Sequence, residues 1–220
     1  MYVWVVLTTF LAMIAAYFLP IREDTQKIIN VPVAQAKMMQ MVVKQKAGIQ
    51  FMKENAYPFF SNETEKKVNY TSGEIDVAPY LPHGFVSNED YVTAIYCMDE
   101  ALTQIKTGED ACRKVEGEKI MRLLITYGAI PERWQSISVE EGGYHVRPSA
   151  DLMEALRGHF GAKEMVGYVI NESGKLYIVN YENTRFEVPQ PVADNIGMGH
   201  YGIKDCLNDY KTCMAYMSWR

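Results

Sequence analysis

Hydrophobic and polar positions divide the chain sharply at one point. From Met1 to Ile21 no side chain carries a charge, and Arg22 is the first that does. A helix needs about 20 apolar residues to cross a hydrocarbon layer about 30 Å thick, so this run is long enough to span one. A cleaved secretory signal would show a basic start, a shorter apolar stretch and small residues before its cleavage point. Here no Lys or Arg precedes the run, and Met13 and Ile14 stand before Ala15-Ala16. The segment reads as a retained transmembrane anchor over residues 1–21. Tyr2, Trp4 and Tyr17 lie near its ends, where amphipathic rings favour the headgroup zone.

Pro20 ends or kinks that helix, and a polar stretch, residues 22–30, follows it. A second helical pattern runs from Val33 to about Asn55. Met38, Val42, Gln45, Ile49, Met52 and Ala56 alternate in steps of four and three, a heptad-like seam broken by one Gln. Met39, Val43 and Ala47 widen the apolar face. Two uses fit it: core of the soluble domain, or a seam for a partner helix through Met38, Val42, Ile49 and Met52. Tyr57-Pro58 stops the helix. The expected organisation is an anchor (1–21), a polar linker with an amphipathic helix (22–56), and a globular region (57–220).

Beyond residue 57 the pattern turns to strands and turns. Leu81-Pro82-His83-Gly84 reads as a turn. Val92–Tyr96 has the β-branched and aromatic content of a strand, yet the same stretch could open a helix through residues 98–106. Gly108-Glu109-Asp110 leads into a predicted helix on which Ala111, Val115, Ile120, Leu123 and Leu124 recur. Gly128 and Pro131 would close it. Ser136–Glu140 and Tyr144–Arg147 predict a hairpin about Gly142-Gly143. Ser149 predicts the cap of a short helix that Gly161 ends. Met165–Ile170, a turn at Asn171–Gly174 and Lys175–Val179 give the clearest β signal, with Phe186–Val188 as a further strand. The fold class expected is α+β: a transmembrane helix and an amphipathic helix, then an α+β domain with antiparallel strands.

Charge and cysteines change the picture in two ways. The net charge is −5 and no basic patch carries interleaved aromatics, so a nucleic-acid partner is not expected. The four cysteines form two local pairs, Cys97/Cys112 and Cys206/Cys213, a pattern that suits disulfides in an oxidising compartment. Four unrelated buried thiols are the alternative. Seven residues make about two turns of straight helix, too far for a bridge, so the segment of Cys206 and Cys213 bends or these cysteines pair elsewhere. Arg22, Glu23, Asp24 and Lys27 nearly cancel, which leaves the charge rule for orientation mute. The cysteines then favour a cytoplasmic N-terminus and a periplasmic C-terminal domain.

Chemistry is harder to find. No serine stands in a G-x-S-x-G elbow, and Cys112 comes just after the acidic pair Glu109-Asp110, which does not lower a thiol's pKa. Neither cysteine pair has C-x-x-C spacing, and His83, His145, His159 and His200 are scattered, so no metal ligands are assigned. Gly142-Gly143-Tyr144-His145 lacks the Gly-Lys-Ser/Thr ending of a phosphate loop, and Gly197-Met198-Gly199-His200 reads as a turn. Glu140-Glu141 and Asp99-Glu100 read as solvated faces. No catalytic residue and no cofactor are assigned, and the chain is not expected to be an enzyme.

The uncharged segment from Tyr2 to Leu19, the helix Val33–Asn55, Gly73-Glu-Ile-Asp-Val, Leu81-Pro82-His83-Gly84-Phe85 and the late run MVGYVINESGKLYIV with VPQPV carry a resemblance. Together they resemble the accessory proteins and minor pilins of type IVb (thin, conjugative) pilus systems, nearest to PilM-type inner-membrane assembly proteins. Residues 97–150 have no counterpart. A mature pilin would carry Glu at the fifth position of its apolar helix, where this chain has Val5. The resemblance implies a single-pass inner-membrane component of the assembly machine. It would act through contacts with other pilus-assembly proteins or with further copies of itself. Entry into the fibre as a minor pilin is one alternative, and a periplasmic anchored hydrolase or ligand-binding protein is another.

Overall fold

The computed structural model describes residues 32–55, 72–86, 91–108, 111–112, 119–130, 134–140, 143–199 and 213–219. The predicted anchor and Cys206 lie outside them. Among the described residues, no helix is long and apolar enough to cross a membrane.

Helix α1 (32–54) is followed by β1 (Gly73–Glu74), β2 (Tyr91–Met98), β3 (Met121–Ala129), β4 (Gln135–Glu140) and β5 (Gly143–Pro148). Helix α2 (Ala150–His159), β6 (Met165–Glu172), β7 (Lys175–Val179), β8 (Arg185–Glu187), helix α3 (Gln190–Gly199) and β9 (Cys213–Trp219) complete the order. Seven strands form one antiparallel sheet in the order β1-β2-β3-β9-β6-β7-β8, and β4-β5 make a separate two-stranded ribbon. The α+β class with antiparallel strands is therefore present. Among the described strands, β9 sits at the centre of the sheet and joins the β1–β3 half to the β6–β8 half.

Both faces of the sheet are buried. Odd-numbered residues of β3 and β9, with even-numbered residues of β2, meet α3 through Val192 and Ala193. The opposite face meets α1 and α2: Ala34, Met38 and Met41 pack with Trp134, Leu152, Leu156 and Met214. Farther along α1, Ala47 and Met52 pack with Ile95, Cys97 and Leu124. Among the described residues Ala34 is the first that is buried, and α1 packs along the sheet from there to Met52.

That two-sided burial explains the main departures from the sequence pattern. An antiparallel strand covered on one face alternates apolar and polar residues, whereas one covered on both faces reads as a continuous apolar run. Residues 121–129 are apolar apart from Arg122 and Thr126, and they form β3 rather than the end of the predicted helix; Gly128 lies inside the strand opposite Tyr91. Residues 91–98 are β2 for the same reason, which settles the choice between strand and helix there. Elsewhere local chemistry decides as expected. The Ser149 hydroxyl caps α2 by accepting from the Leu152 amide at 3.4 Å. The β6–β7 hairpin turns at Ser173 and Gly174, both at positive φ, the geometry that matches the twist of a two-residue loop.

Cys97 and Cys112 form a disulfide, with both residues buried. Cys213 is disulfide-bonded as well, and it opens strand β9, so the constraint of a straight helix does not apply to it.

Candidate interaction surface

Helix α1 carries the features that bear most directly on function, because its two faces differ. Its buried row is Ala34, Met38, Met41, Gln45, Gly48 and Met52, again in steps of four and three. This is the predicted seam turned by one residue: Met38, Gln45 and Met52 are shared, while Met41 and Gly48 replace Val42 and Ile49. Val42 and Ile49 are half-buried at the flanks of the same contact. The seam expected to receive a partner helix is therefore filled by this chain's own sheet. One turn of helix advances slightly more than three and a half residues, and the sheet selects the row that brings Gly48 and the small Ala34 closest.

Gly48 is the point of closest approach. A Cβ built there would lie 2.9 Å from Leu124 Cδ1 and 3.0 Å from Thr93 Cγ2. One turn earlier, Gln45 is fully buried among Met side chains, and all its polar atoms are satisfied. Its Oε1 accepts from the Thr126 hydroxyl at 2.6 Å, and its Nε2 donates to Leu124 O at 3.3 Å and to Ser218 Oγ at 3.0 Å. Thr126 has one hydroxyl proton and gives it to Gln45, so Thr93 must donate in the 3.0 Å Thr93–Thr126 contact. The reverse amide orientation would set two oxygens against each other at Leu124. The chain Thr93→Thr126→Gln45→Ser218 ties α1 to β2, β3 and β9 at once.

Lys44 supports the sheet edge. Only 7 % exposed, it donates from Nζ to Tyr91 O at 2.5 Å. Strand β1 pairs with β2 only through Gly73–Ile95 and Glu74–Ala94, with the Ile75 amide adding a bond to Thr93 O. Beyond that point Lys44 supplies the donor that a longer β1 would have supplied. An open cleft of about 450 Å³ lies beside it, lined among others by Lys44, Glu74, Asp76, Val77, Leu81 and Tyr91. Asp76 is engaged locally, accepting from the Ala78 amide at 2.9 Å. The opposite edge strand, β8, has three residues, and its charges are paired: Lys175 with Glu187 at 2.8 Å, and Arg185 with Glu172. Short, charged edges of this kind resist strand addition.

The outer face of α1 changes character along its length. Val33 and Met39 are 36 % and 42 % exposed, Ala36 is exposed between them, and Val43 is half-buried. Past Val43 the outward positions are Lys46, Gln50, Lys53 and Glu54, all exposed.

Titratable groups form no catalytic constellation among the described residues, and no group of three or more His, Cys, Asp or Glu there could hold a metal. Burial pushes Tyr96 up to about 12, with the Glu74 carboxylate adding to the shift, and it raises Tyr127 and Tyr216 as well. Asp99 is held below its ordinary value chiefly by the Thr103 hydroxyl, then by backbone amides. It organises the turn that leads toward Cys112. His159 stands in the last turn of α2. Sequence reasoning missed Lys44 and Thr126, whose roles depend on contacts across 47 and 81 residues. The lone Gln in an apolar seam was the visible signal for Gln45.

Comparison with protein-family models, with curated proteins and with solved structures returned no match.

Proposed function

We propose that this chain is a non-enzymatic, membrane-anchored component of a type IVb pilus assembly apparatus, working in the periplasm through contacts with other assembly proteins. The observation that carries the reading is the way α1 is rooted. Thirteen residue steps separate Ile21, at the end of the uncharged run, from Ala34, the first buried residue among those described. Fully extended they reach at most about 45 Å. An anchor in residues 1–21 would hold the sheet domain close to the bilayer, with α1 transmitting position from one to the other. Paired cysteines suit an oxidising compartment.

A fibre subunit is the second reading, favoured by an apolar run upstream of a helix packed along an antiparallel sheet; Val5 weighs against it. Removing the chain from its host should abolish assembled surface pili while pilin subunits accumulate in the inner membrane. Restoring residues 22–220 without the anchor should not recover assembly. Normal piliation without the chain would overturn the reading, and recovery of the chain in sheared filaments would favour the fibre subunit.

A further inference from the structure

The inner row of α1 is occupied by the sheet, but its outer row repeats the same four-three spacing: Ala36, Met39, Val43, Lys46, Gln50 and Lys53. Apolar residues fill the half of that row nearer the N-terminus, with Val33 beside it, and amide and ammonium groups fill the other half. We propose that this outer row docks a helix of a different membrane-anchored protein, apolar where it meets Ala36, Met39 and Val43 and acidic where it meets Lys46 and Lys53. The proposal rests on the anchored reading above for its setting, and on α1 itself for its chemistry.

Three observations select this occupant. First, neither Lys46 nor Lys53 makes an ion pair among the described residues, and the nearby Glu54 accepts from Gln50 Nε2 at 2.6 Å, so both ammonium groups remain available to a carboxylate partner. Secondly, a second copy fits poorly. A parallel pair would set Lys46 against Lys46 and Lys53 against Lys53, like charges at seam positions that oppose pairing. An antiparallel pair centred on Val43 would set Lys46 against the Met39–Gln40 turn and Lys53 against Val33, with no carboxylate opposite either. Thirdly, the charged stretch 22–30 separates the uncharged run from α1, so the apolar outer row does not continue a membrane-embedded surface.

The contact is short, about three helical turns of apolar surface. Free in solution it would be weak, because stable interfaces bury more than about 1,000 Å². Two chains anchored in one bilayer meet at a far higher effective concentration, and a contact of this size then suffices.

The test uses the full chain in nanodiscs of zwitterionic lipid and two synthetic helical peptides. Both carry Leu at the positions facing Ala36, Met39 and Val43; one carries Glu and the other Lys opposite Lys46 and Lys53. At low salt the Glu peptide should bind at least about tenfold more tightly than the Lys peptide. The double variant Lys46→Glu/Lys53→Glu should invert that preference. Met39→Asp should weaken the Glu peptide by at least about tenfold with an unchanged unfolding midpoint, since Met39 lies outside the core. Equal binding of the two peptides, or a Met39→Asp variant that binds normally, would overturn the proposal. So would efficient disulfide dimerisation of a Met39→Cys variant, which would identify a second copy, or burial of a dye at that cysteine in lipid alone, which would identify the bilayer. These outcomes do not depend on whether the host's pili require the chain, so the two readings fail separately.

Discussion

Gln45 Oε1 accepts a 2.6 Å hydrogen bond from the Thr126 hydroxyl, 81 residues away, and that bond fixes the register of α1 on the sheet. Sliding or turning the helix by one residue would take the Gln45 amide away from its partners Thr126, Leu124 O and Ser218 Oγ. A buried polar group left unsatisfied costs about 1–3 kcal/mol. The Met side chains around it are adaptable and would tolerate such a shift, so specificity in this seam comes from the one polar residue.

A double-mutant cycle checks this. Gln45→Met keeps the volume and removes the amide's bonds to Thr126, Leu124 O and Ser218 Oγ, and it should cost about 2–3 kcal/mol in urea unfolding. Thr126→Val alone should cost about 1–2 kcal/mol, because Gln45 Oε1 and the Thr93 hydroxyl lose their contact. The double variant should fall short of the sum by about 1 kcal/mol. Strict additivity would show that the bond does not hold the helix.

Gly167 should tolerate no side chain. A Cβ there would lie 1.9 Å from Val179 O and 2.5 Å from Val179 C, backbone atoms that cannot rotate away. Gly167→Ala should destabilise the fold by more than about 3 kcal/mol, at or beyond the usual cost of overpacking. Gly48→Ala is the informative contrast. Its contacts are the ends of Leu124 and Thr93, which can shift, and alanine gains about 1 kcal/mol in helix propensity over glycine, so the two effects should nearly cancel. Equal losses at the two sites, measured by thermal unfolding, would contradict this.

Reducing the Cys97–Cys112 bridge, or replacing both residues by Ala, should cost about 3 kcal/mol, the closure entropy of a loop with this 15-residue separation. For a domain of this size that corresponds to a fall in Tm of about 6–12 °C. The loss should be additive with Gly48→Leu only if the two do not share the cluster around Leu124 and Ile95. They do share it, so coupling is expected.

Alkaline pH should unfold the domain through its buried tyrosines. Tyr96 sits at about 12 and Tyr127 is raised as well, both first by burial, against an ordinary value of 10.0. The folded state therefore holds these protons after the unfolded state has released them. Their contribution to stability is complete below pH 10 and is lost as pH rises from 10 towards 12. Phenolate absorbance should show a cooperative late fraction that coincides with loss of circular dichroism. Titration of all tyrosines in one step near pH 10, with the fold intact, would exclude the buried environment.

Much of the fold was legible where one local rule acted alone. Ser149 announced a cap, Ser173-Gly174 a tight turn, and the 135–148 ribbon followed its alternation. The strands β3 and β9 were not legible, and β2 only as one of two alternatives, because a sheet covered on both faces removes the alternation that distinguishes strand from helix. Leu123 and Leu124 were read as neighbours on a helix face, whereas they point to opposite sides of the sheet. On α1 the period was right and the phase was off by one residue. The amphipathic pattern alone did not reveal that Gly48, rather than Ile49, would meet Leu124. Lys44 could not be assigned a role from sequence, since its acceptor is a backbone carbonyl exposed by the brevity of β1.

Cell fractionation with protease treatment tests the central claim most directly, because it reports anchoring and sidedness together. The full chain should remain with inner membranes through alkaline carbonate extraction. Its globular domain should resist protease in intact cells and become degradable in spheroplasts, leaving a small protected N-terminal fragment. A chain released to the supernatant, or a domain that stays protected in spheroplasts until the membrane is dissolved, would contradict the account.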